Sequence, residues 1–227
     1  QLPEATREAV RRASHVRRIE SGVVFQDIGA EPEAVFILLS GSACAQINDA
    51  TGESFLLDIL REGAVLNATP LFDDPTSTFQ ASARTEVSAA QLGWARFQEL
   101  ARADPALNHG AALAAARQHR IALRLIEELS LFSAPERLLI RLARLALEAA
   151  GEAARASPTV LDISQAELAS MIAAARQTAN KLLAALAAER LVELRFKGIA
   201  VSPALIARAA PLVSSDGLAR RSRPAES

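Results

Sequence analysis

Short apolar runs alternate with turn residues over the first part of the chain. Between residues 22 and 94 the turns recur about every 8 to 12 positions, which is typical of an all-β sandwich or barrel. Residues 48–52 have the composition of a hairpin loop. The stretch 65–84, rich in Asp, Ser, Thr and Pro, breaks this rhythm and predicts a long loop with a short helical turn. Ahead of the strands, residues 4–18 show an amphipathic helical pattern.

A long helix is predicted to follow the strands. Asp104 suits its N-cap and Pro105 its first turn, and the helical pattern continues to about Leu129. Its apolar positions form a narrow seam with steps of three and four, which is typical of a coiled coil. The seam comprises Ala112, Ala115, His119, Ala122, Ile126 and Leu129. A helix packed on its own sheet is the alternative, but the length and narrowness of the seam favour a homodimer interface.

Two further helical patterns carry capping-box spacings. Ser133 with Glu136 begins a helix that runs to residue 150, where Gly151 ends it. After a loop over 151–159, Ser164 with Glu167 begins a shorter helix. Residues 173–175 then form a turn, and a second helix follows over 176–189. Two short strands around residues 197 and 198 add a β-wing, so the segment predicts a winged helix-turn-helix.

The exposed face of the second helix has the chemistry that reads DNA. Arg and Lys suit guanine, Gln and Asn suit adenine, and these types lie near the helix N-terminus, the end that enters a major groove. They are Arg176, Gln177, Asn180 and Lys181. Thr178 and Asn180 on this helix, and Arg195 and Lys197 in the wing, could reach phosphates of the DNA backbone. An ordinary helical hairpin with a solvated polar face is the alternative.

Charge and composition add limits to this picture. Residues 1–103 hold nine arginines and no lysine against fourteen acidic residues, whereas residues 133–210 hold ten basic residues against seven acidic ones. This asymmetry directs a polyanion to the second half. Cys44 is the one cysteine, which excludes an internal disulfide and an iron–sulfur cluster held by several thiolates, and it fits a cytoplasmic protein. No apolar run is long enough to span a membrane.

The chain resembles the Crp/Fnr family of regulators over almost its whole length. The resemblance rests on Gly22, Gly29, Gly52, Gly63, the FILLSGSA run at 36–43 and the SQAELASMIAAARQTANKLL run at 164–183. It implies that Arg176, Gln177 and Lys181 read bases and that Gln165 and Thr178 contact the DNA backbone. One departure is Ala173, where the family usually has Gly. A left-handed Ala there would cost on the order of 1 kcal/mol.

The predicted fold class is α+β, with four segments. Residues 1–103 form a β-roll sensor of the cyclic-nucleotide-binding type, related to cupins and jelly rolls, and 104–132 form the dimerisation helix. Residues 133–210 form the winged helix-turn-helix, and 211–227 form a disordered tail. The resemblance implies a dimeric regulator that binds a palindromic site on double-stranded DNA and works with RNA polymerase. No catalytic motif points to an enzyme.

The resemblance also indicates which effector to expect. Cyclic-nucleotide-binding members have Gly-Glu-Leu and Arg-Ser motifs that hold the ribose and the cyclic phosphate. Here the matching positions are Leu66, Asn67 and Ala68, then Ser77 and Thr78, and Ala122 and Leu123 replace a Thr-Ser pair that would meet the adenine. Without an Arg partner for the buried cyclic phosphate, binding of cAMP should be weaker by several kcal/mol. We therefore expect no response to cAMP.

Three alternatives for the sensor stay open: another small-molecule effector in a more apolar pocket, haem bound through a His, or no ligand. The histidines are His15, His109 and His119, and no haem motif surrounds them. His119 on the seam is interpreted as a packed or solvated polar residue, with a pH or metal role as the alternative. A second function class is a ligand- or haem-sensing module whose winged helix contacts proteins rather than DNA.

Overall fold

The computed structural model describes residues 2–48, 54–73 and 76–212. The chain divides into two compact units, one up to Leu123 and one from Arg124. The first unit has two four-stranded antiparallel sheets, which confirms the predicted β-roll. Its strands are β1 (His15–Ile19), β2 (Val24–Gln26), β3 (Ala34–Ser40), β4 (Ala43–Asn48), β5 (Ser54–Leu60), β6 (Val65–Leu66), β7 (Gln80–Ala83) and β8 (Val87–Gly93).

The two sheets have the orders β1-β8-β3-β6 and β2-β7-β4-β5. Their inner faces share an apolar core in which Phe36, Leu38 and Leu66 are buried. β3 is apolar almost throughout because its other face, through Val35, packs in a second cluster with three helices. Those helices are α1 (Glu4–Ala13), α2 (Trp94–Ala103) and α3 (Pro105–Leu131).

The helix predicted over residues 4–18 is wrong at its C-terminal end. α1 ends at Ala13, where the Ser14 hydroxyl donates to the Val10 carbonyl over 2.7 Å. His15 begins β1 instead, and β1 pairs with β8 from His15 opposite Gln91 to Ile19 opposite Val87. Pairing with a distant strand satisfies the backbone and buries Ile19, which outweighs the local helical preference.

The predicted loop over 65–84 contains the expected helical turn, a 3-10 helix over Thr69–Leu71. Its length was overestimated, because β6 and β7 lie within this stretch and pair with β3 and β4. The predicted hairpin loop at 48–52 lies largely outside the described residues, although Asn48 and Ser54 pair on either side of it. The helix α2 was not anticipated. It packs because Phe97 and Ala101, four residues apart, are buried on one side.

The long helix α3 has 27 residues and begins where predicted. One Asp104 carboxylate oxygen accepts the backbone N–H of Ala106 over 2.9 Å, and the other accepts the Thr6 hydroxyl over 2.6 Å. These bonds hold the pKa of Asp104 below its ordinary value, with the Thr6 bond as the main cause. The cap therefore ties the start of α3 to α1.

Within the described residues, the second unit contains the last turns of α3, four more helices and three strands. Its elements are α4 (Ala134–Ala150), β9 (Thr159–Leu161), α5 (Gln165–Met171), α6 (Arg176–Ala188), β10 (Val192–Arg195), β11 (Gly198–Val201) and α7 (Pro203–Ala209). The strands form one sheet of order β10-β11-β9. The capping box at Ser133 and the stop at Gly151 are as predicted. β9, α7 and a 3-10 helix over Gly151–Arg155 were not anticipated. In the predicted tail, residues 211 and 212 end a 3-10 turn, and 213–227 lie outside the described residues.

Candidate nucleic-acid interface

The first helix of the helix-turn-helix, α5, is fixed by a reciprocal cap. The backbone N–H of Ser164 donates to the Glu167 carboxylate over 2.7 Å, and the Ser164 hydroxyl accepts the N–H of Glu167 over 3.1 Å. Leu168, Met171 and Ile172 are buried below it. Local sequence therefore determines where this helix begins, and apolar packing determines its orientation.

The turn after α5 carries a left-handed residue. Ala173 has φ +48°, and the N–H of Ala174 donates to the Ala169 carbonyl over 3.0 Å. This six-residue closure is the Schellman motif, which usually places Gly at the left-handed position. The turn thus keeps the conformation expected for the family at a position where this chain has Ala.

The second helix, α6, presents its N-terminal end to solvent. Arg176, Gln177 and Thr178 are exposed in its first turn, and Lys181 lies one turn after Gln177. No side chain caps the first turn of α6. Beyond Lys181 the exposed positions are alanines, so no bulky side chain obstructs a close approach of this face to a duplex. The exposed alanines are Ala184, Ala185 and Ala188.

Two of the predicted backbone contacts are less exposed than the sequence suggested. Asn180 is half-buried, and its Oδ1 lies below the surface with no hydrogen-bond partner. Asn180 therefore lies only partly on the exposed face of α6, because the helix turns this position toward the domain. Gln165, at the start of α5, is also half-buried.

The wing is formed by β10 and β11, with Arg195 opposite Gly198. The predicted phosphate contact Arg195 is held by its neighbour Glu193 through two hydrogen bonds of 2.9 and 3.1 Å. This pairing lowers the pKa of Glu193. Lys197 is exposed at the tip. Of the two wing cations, Lys197 is therefore the one presented for a phosphate without competition from Glu193.

One positioning residue was not found from the sequence. Arg137, in the first turn of α4, donates from Nε to the Ile172 carbonyl over 2.8 Å and from a terminal nitrogen to the Phe132 carbonyl over 2.9 Å. Ile172 is the C-cap of α5, and Phe132 directly follows α3. The guanidinium thus links the end of the long helix to the turn of the helix-turn-helix. No local sequence signal marks this role.

A buried cluster of charges joins α3 to α4. Glu128, which is 2 % exposed, accepts hydrogen bonds from Arg141 over 2.9 Å and from Arg144. Burial, followed by repulsion from Arg124, lowers the pKa of Arg144. Because one carboxylate bonds to two guanidinium groups, this contact depends on how α3 and α4 are positioned relative to each other. No local sequence pattern marks this cluster.

The predicted effector positions are partly brought together. Asn67 and Ser77 are 6 % and 4 % exposed, and the Ser77 hydroxyl donates to Asn67 Oδ1 over 2.8 Å. Asn67 Nδ2 in turn donates to the Ala34 carbonyl over 2.9 Å. Leu66 and Ala68 are buried on either side. The polar groups of Asn67 and Ser77 are thus satisfied by one another and by β3.

The remaining effector positions do not join this network. Thr78 is exposed next to Ser77, and Ala122 and Leu123 are exposed on α3. A different residue of α3 reaches the loop: Gln118 donates to the Val65 carbonyl over 3.3 Å and accepts the Thr69 hydroxyl. Gln118 is therefore the link between the long helix and the segment that contains Asn67.

The predicted dimer seam is largely uncovered in the single chain. Ile126 and Leu129 are 59 % and 38 % exposed, and Ala112, His119 and Ala122 are exposed as well, while Ala115 is half-buried. His15 and His109 are also exposed, and Cys44 is half-buried in β4. Among the described residues no group of three or more His, Cys, Asp or Glu could hold a metal ion. No helix in that part of the chain is long and apolar enough to cross a membrane.

The winged helix-turn-helix that follows the β-roll defines the class of the protein, a regulator with a DNA-binding domain. A model of the cyclic nucleotide-binding domain matches residues 16–104, and a model of the Crp-like helix-turn-helix domain matches residues 136–202. The chain belongs to the Crp/Fnr family of transcription regulators. It is a regulator rather than an enzyme, and it carries the DNA-binding domain of that family.

Known proteins with this architecture include regulators with different effectors. The chain is 25 % identical over 195 residues, 86 % of this chain and 82 % of the relative, to the CRP-like cAMP-activated global transcriptional regulator of Mycobacterium tuberculosis. The fold resembles that of the c-di-GMP responsive global regulator CLP of Xanthomonas campestris, with a TM-score of 0.75, 21 % identity and coverage of 88 % and 99 % of the two chains. It also resembles FixK2 of Bradyrhizobium japonicum, with a TM-score of 0.76, 15 % identity and coverage of 89 % and 98 %.

Proposed function

We propose that the protein is a dimeric, sequence-specific DNA-binding regulator whose sensor domain does not respond to cAMP. The observation that carries the DNA-reading role is the exposed N-terminal end of α6, with Gln177 and Lys181 one turn apart on a face otherwise made of small alanines. A helix that enters a major groove by its N-terminal end needs this combination of reach and clearance.

Base reading and backbone contact divide among neighbouring residues. Gln177 can pair with adenine, and Arg176 and Lys181 can pair with guanine. Thr178 in the first turn of α6 and Lys197 in the wing are placed for phosphates. Each half-site then needs a few base contacts held in register by the flanking backbone contacts.

The partner of α3 is a second copy of this chain. The seam through Ile126 and Leu129 exposes apolar side chains at coiled-coil spacing, and its alanines allow close approach of two helices. A two-fold dimer puts two recognition helices about 34 Å apart, one turn of B-DNA, and so selects a palindromic site. In the cytoplasm, the DNA-bound dimer would change transcription through contact with RNA polymerase.

The closed Asn67–Ser77 pair supports the absence of a cAMP response. A cyclic phosphate needs a cation and open space. Here Ser77 stands where the family motif has Arg, and the Asn67 amide is already hydrogen-bonded to the Ala34 carbonyl and the Ser77 hydroxyl. Another small molecule, haem or no ligand are the alternatives for the input. With either ligand, Gln118 would carry a change in residues 65–69 to α3, since it bonds to both Val65 and Thr69.

A binding-site selection followed by mobility-shift titrations tests the DNA-reading role. Gln177→Ala should lose about 1–3 kcal/mol of discrimination at one base pair in each half-site. Thr178→Ala is the matched control, because loss of a phosphate contact weakens all sequences equally. An unchanged base preference in Gln177→Ala would refute the assignment. Binding to proteins but to no duplex would favour the alternative function of the winged helix.

Calorimetry with cAMP tests the input. We expect no saturable heat, and no change in DNA affinity at the highest cAMP concentration used. Tight cAMP binding that strengthens DNA binding would contradict the proposal. An absorption spectrum and a mass spectrum of the purified protein would identify haem or a co-purified effector.

A further inference from the structure

We propose that His119 makes the dimer sensitive to pH, because the two copies of its imidazole meet on the two-fold axis between the α3 helices. This inference rests on the dimer of the proposed function. The other members of the seam are alanines, Ile126 and Leu129, which carry no titratable group. His119 is exposed in the single chain, where a second copy would cover it. A residue that can gain a charge therefore occupies a position that dimerisation buries.

The spacing of the seam brings the two copies of His119 face to face. Two DNA-binding units reach one duplex only from the same side of the two-fold axis, so the two α3 helices run parallel. Ala112, His119 and Ile126 are seven residues apart and share one position of the heptad. In a parallel two-stranded seam each such residue packs against its own copy. Ala115 and Ala122, in the neighbouring layers, leave room for two imidazole rings.

The part of α3 around His119 offers no carboxylate to a protonated ring. α3 has no Asp or Glu between Asp104 and Glu127. Arg117 and Arg120 lie at helix positions outside the seam, and their charge has the same sign as that of a protonated imidazole. The residues three and four positions away are the neighbours of His119 on the helix surface, and all are apolar: Ala115, Ala116, Ala122 and Leu123.

The elements that pack against α3 do not supply a carboxylate at this level either. Gln118 binds the segment 65–71, which holds no titratable side chain. Asp73, two residues beyond that segment, is exposed. α1 and α2 pack against an earlier part of α3, around Leu107, which lies about three turns before His119. On the page of contacts that α3 makes within its unit, nothing therefore compensates a charge on His119.

Protonation changes the contact that the two rings can make. An unperturbed imidazole changes charge between about pH 5 and pH 8. A neutral ring has one N–H donor and one acceptor nitrogen, so two neutral rings can hydrogen-bond to each other. Protonated rings have two donors and no acceptor, so they lose this bond and repel each other. The contact at His119 is therefore present at neutral and higher pH and is lost as the pH falls.

Sedimentation equilibrium of the full chain at about pH 8 and about pH 5.5 tests this inference. The dissociation constant of the wild-type dimer should rise about tenfold at the lower pH, because two like charges then meet in a partly desolvated seam. His119→Asn and His119→Leu remove the titrating group, so each should have the same dissociation constant at both pH values. His109→Asn, on an exposed position of α3 outside the seam, is the matched control and should behave as the wild type.

Each measurement is made with and without EDTA, because acid would also release a metal ion held between two imidazoles. A pH dependence seen only without EDTA would overturn the inference in favour of a bridging metal. Dissociation of His119→Leu in parallel with the wild type would overturn it too, since acid would then act elsewhere in the chain. A wild type that is monomeric even at the higher pH refutes the proposed dimer, whereas a dimer insensitive to pH refutes only this inference.

Discussion

Replacing Ala173 by Gly should stabilise the DNA-binding unit. Ala173 lies in the left-handed region at φ +48°, where an L-residue with a Cβ is disfavoured by about 1–2 kcal/mol. Its side chain is exposed, so no packing is lost on truncation. Gly adds freedom to the unfolded chain, which offsets about 0.4–1 kcal/mol of the relief. The net expectation is a gain of about 0.5–1 kcal/mol.

The same substitution elsewhere should have the opposite sign. Ala184 is exposed in the middle of α6 with ordinary helical backbone, so Ala184→Gly should destabilise by about 0.5–1 kcal/mol. Urea unfolding followed by far-UV circular dichroism measures both variants. The single tryptophan, Trp94, lies in the first unit, and its fluorescence provides a transition that neither substitution should move.

The comparison is decisive because both variants lose the same methyl group from an exposed site. If Ala173→Gly destabilises as much as Ala184→Gly, the turn does not hold a left-handed residue in solution. The Schellman closure described for the helix-turn-helix would then be incorrect, and with it the direction in which α6 leaves α5.

Three further predictions concern other parts of the chain. Glu128→Gln should destabilise the second unit by about 3–5 kcal/mol in urea unfolding, because it leaves two buried guanidinium groups without their carboxylate. Thr6→Val should raise the pKa of Asp104 toward its ordinary value in an NMR titration, because the Thr6 bond is the main cause of the lowering. Since the pKa is lowered in the folded state, the stability from this bond is present above the ordinary pKa and is lost as pH falls through the folded pKa. Ile126→Glu with Leu129→Glu should convert a dimer to a monomer in sedimentation, because charges would enter the seam.

Each of these has a matched control. Glu127→Gln, next to the buried cluster on an exposed position, should change stability by less than about 0.5 kcal/mol. The pKa of Glu136, lowered by its bonds to Ser133, should not respond to Thr6→Val. Arg120→Glu, exposed on α3 away from the seam, should leave the dimer intact. An unchanged free energy of unfolding in Glu128→Gln would contradict the first prediction. An unchanged pKa of Asp104 in Thr6→Val would contradict the second, and a dimer that persists in the Ile126→Glu, Leu129→Glu variant would contradict the third.

The parts of the fold that could be predicted from sequence are those encoded locally. The cap of α5 needs only Ser164 and Glu167, three residues apart, and the turns of the β-roll recur at short intervals. Likewise, the exposure of Arg176, Gln177 and Lys181 on α6 follows from the polar residue types near one helix end. These features require no knowledge of distant contacts, which is why pattern and chemistry agreed with the structure.

The features that the sequence did not reveal depend on contacts between distant segments. β1 becomes a strand because β8, about seventy positions later, is available to pair with it. Arg137 is an ordinary helical arginine until the fold brings the carbonyls of Ile172 and Phe132 to it. Asn67 and Ser77 could be named as effector positions, but their hydrogen bond to each other could not be foreseen.

The bond from Arg137 to Phe132 and the Glu128 cluster together have a mechanical consequence. The segment between α3 and α4 would be the obvious place for a hinge, yet it is tied on both sides to the DNA-binding unit. Bending there would break a buried ion pair and uncap the turn of the helix-turn-helix. If a signal moves the helix-turn-helix, we therefore expect the change to occur ahead of Glu128, within α3, and not between α3 and α4. In this regulator we expect a signal to reach the helix-turn-helix as a twist of α3, and not as a bend at the connection between α3 and α4.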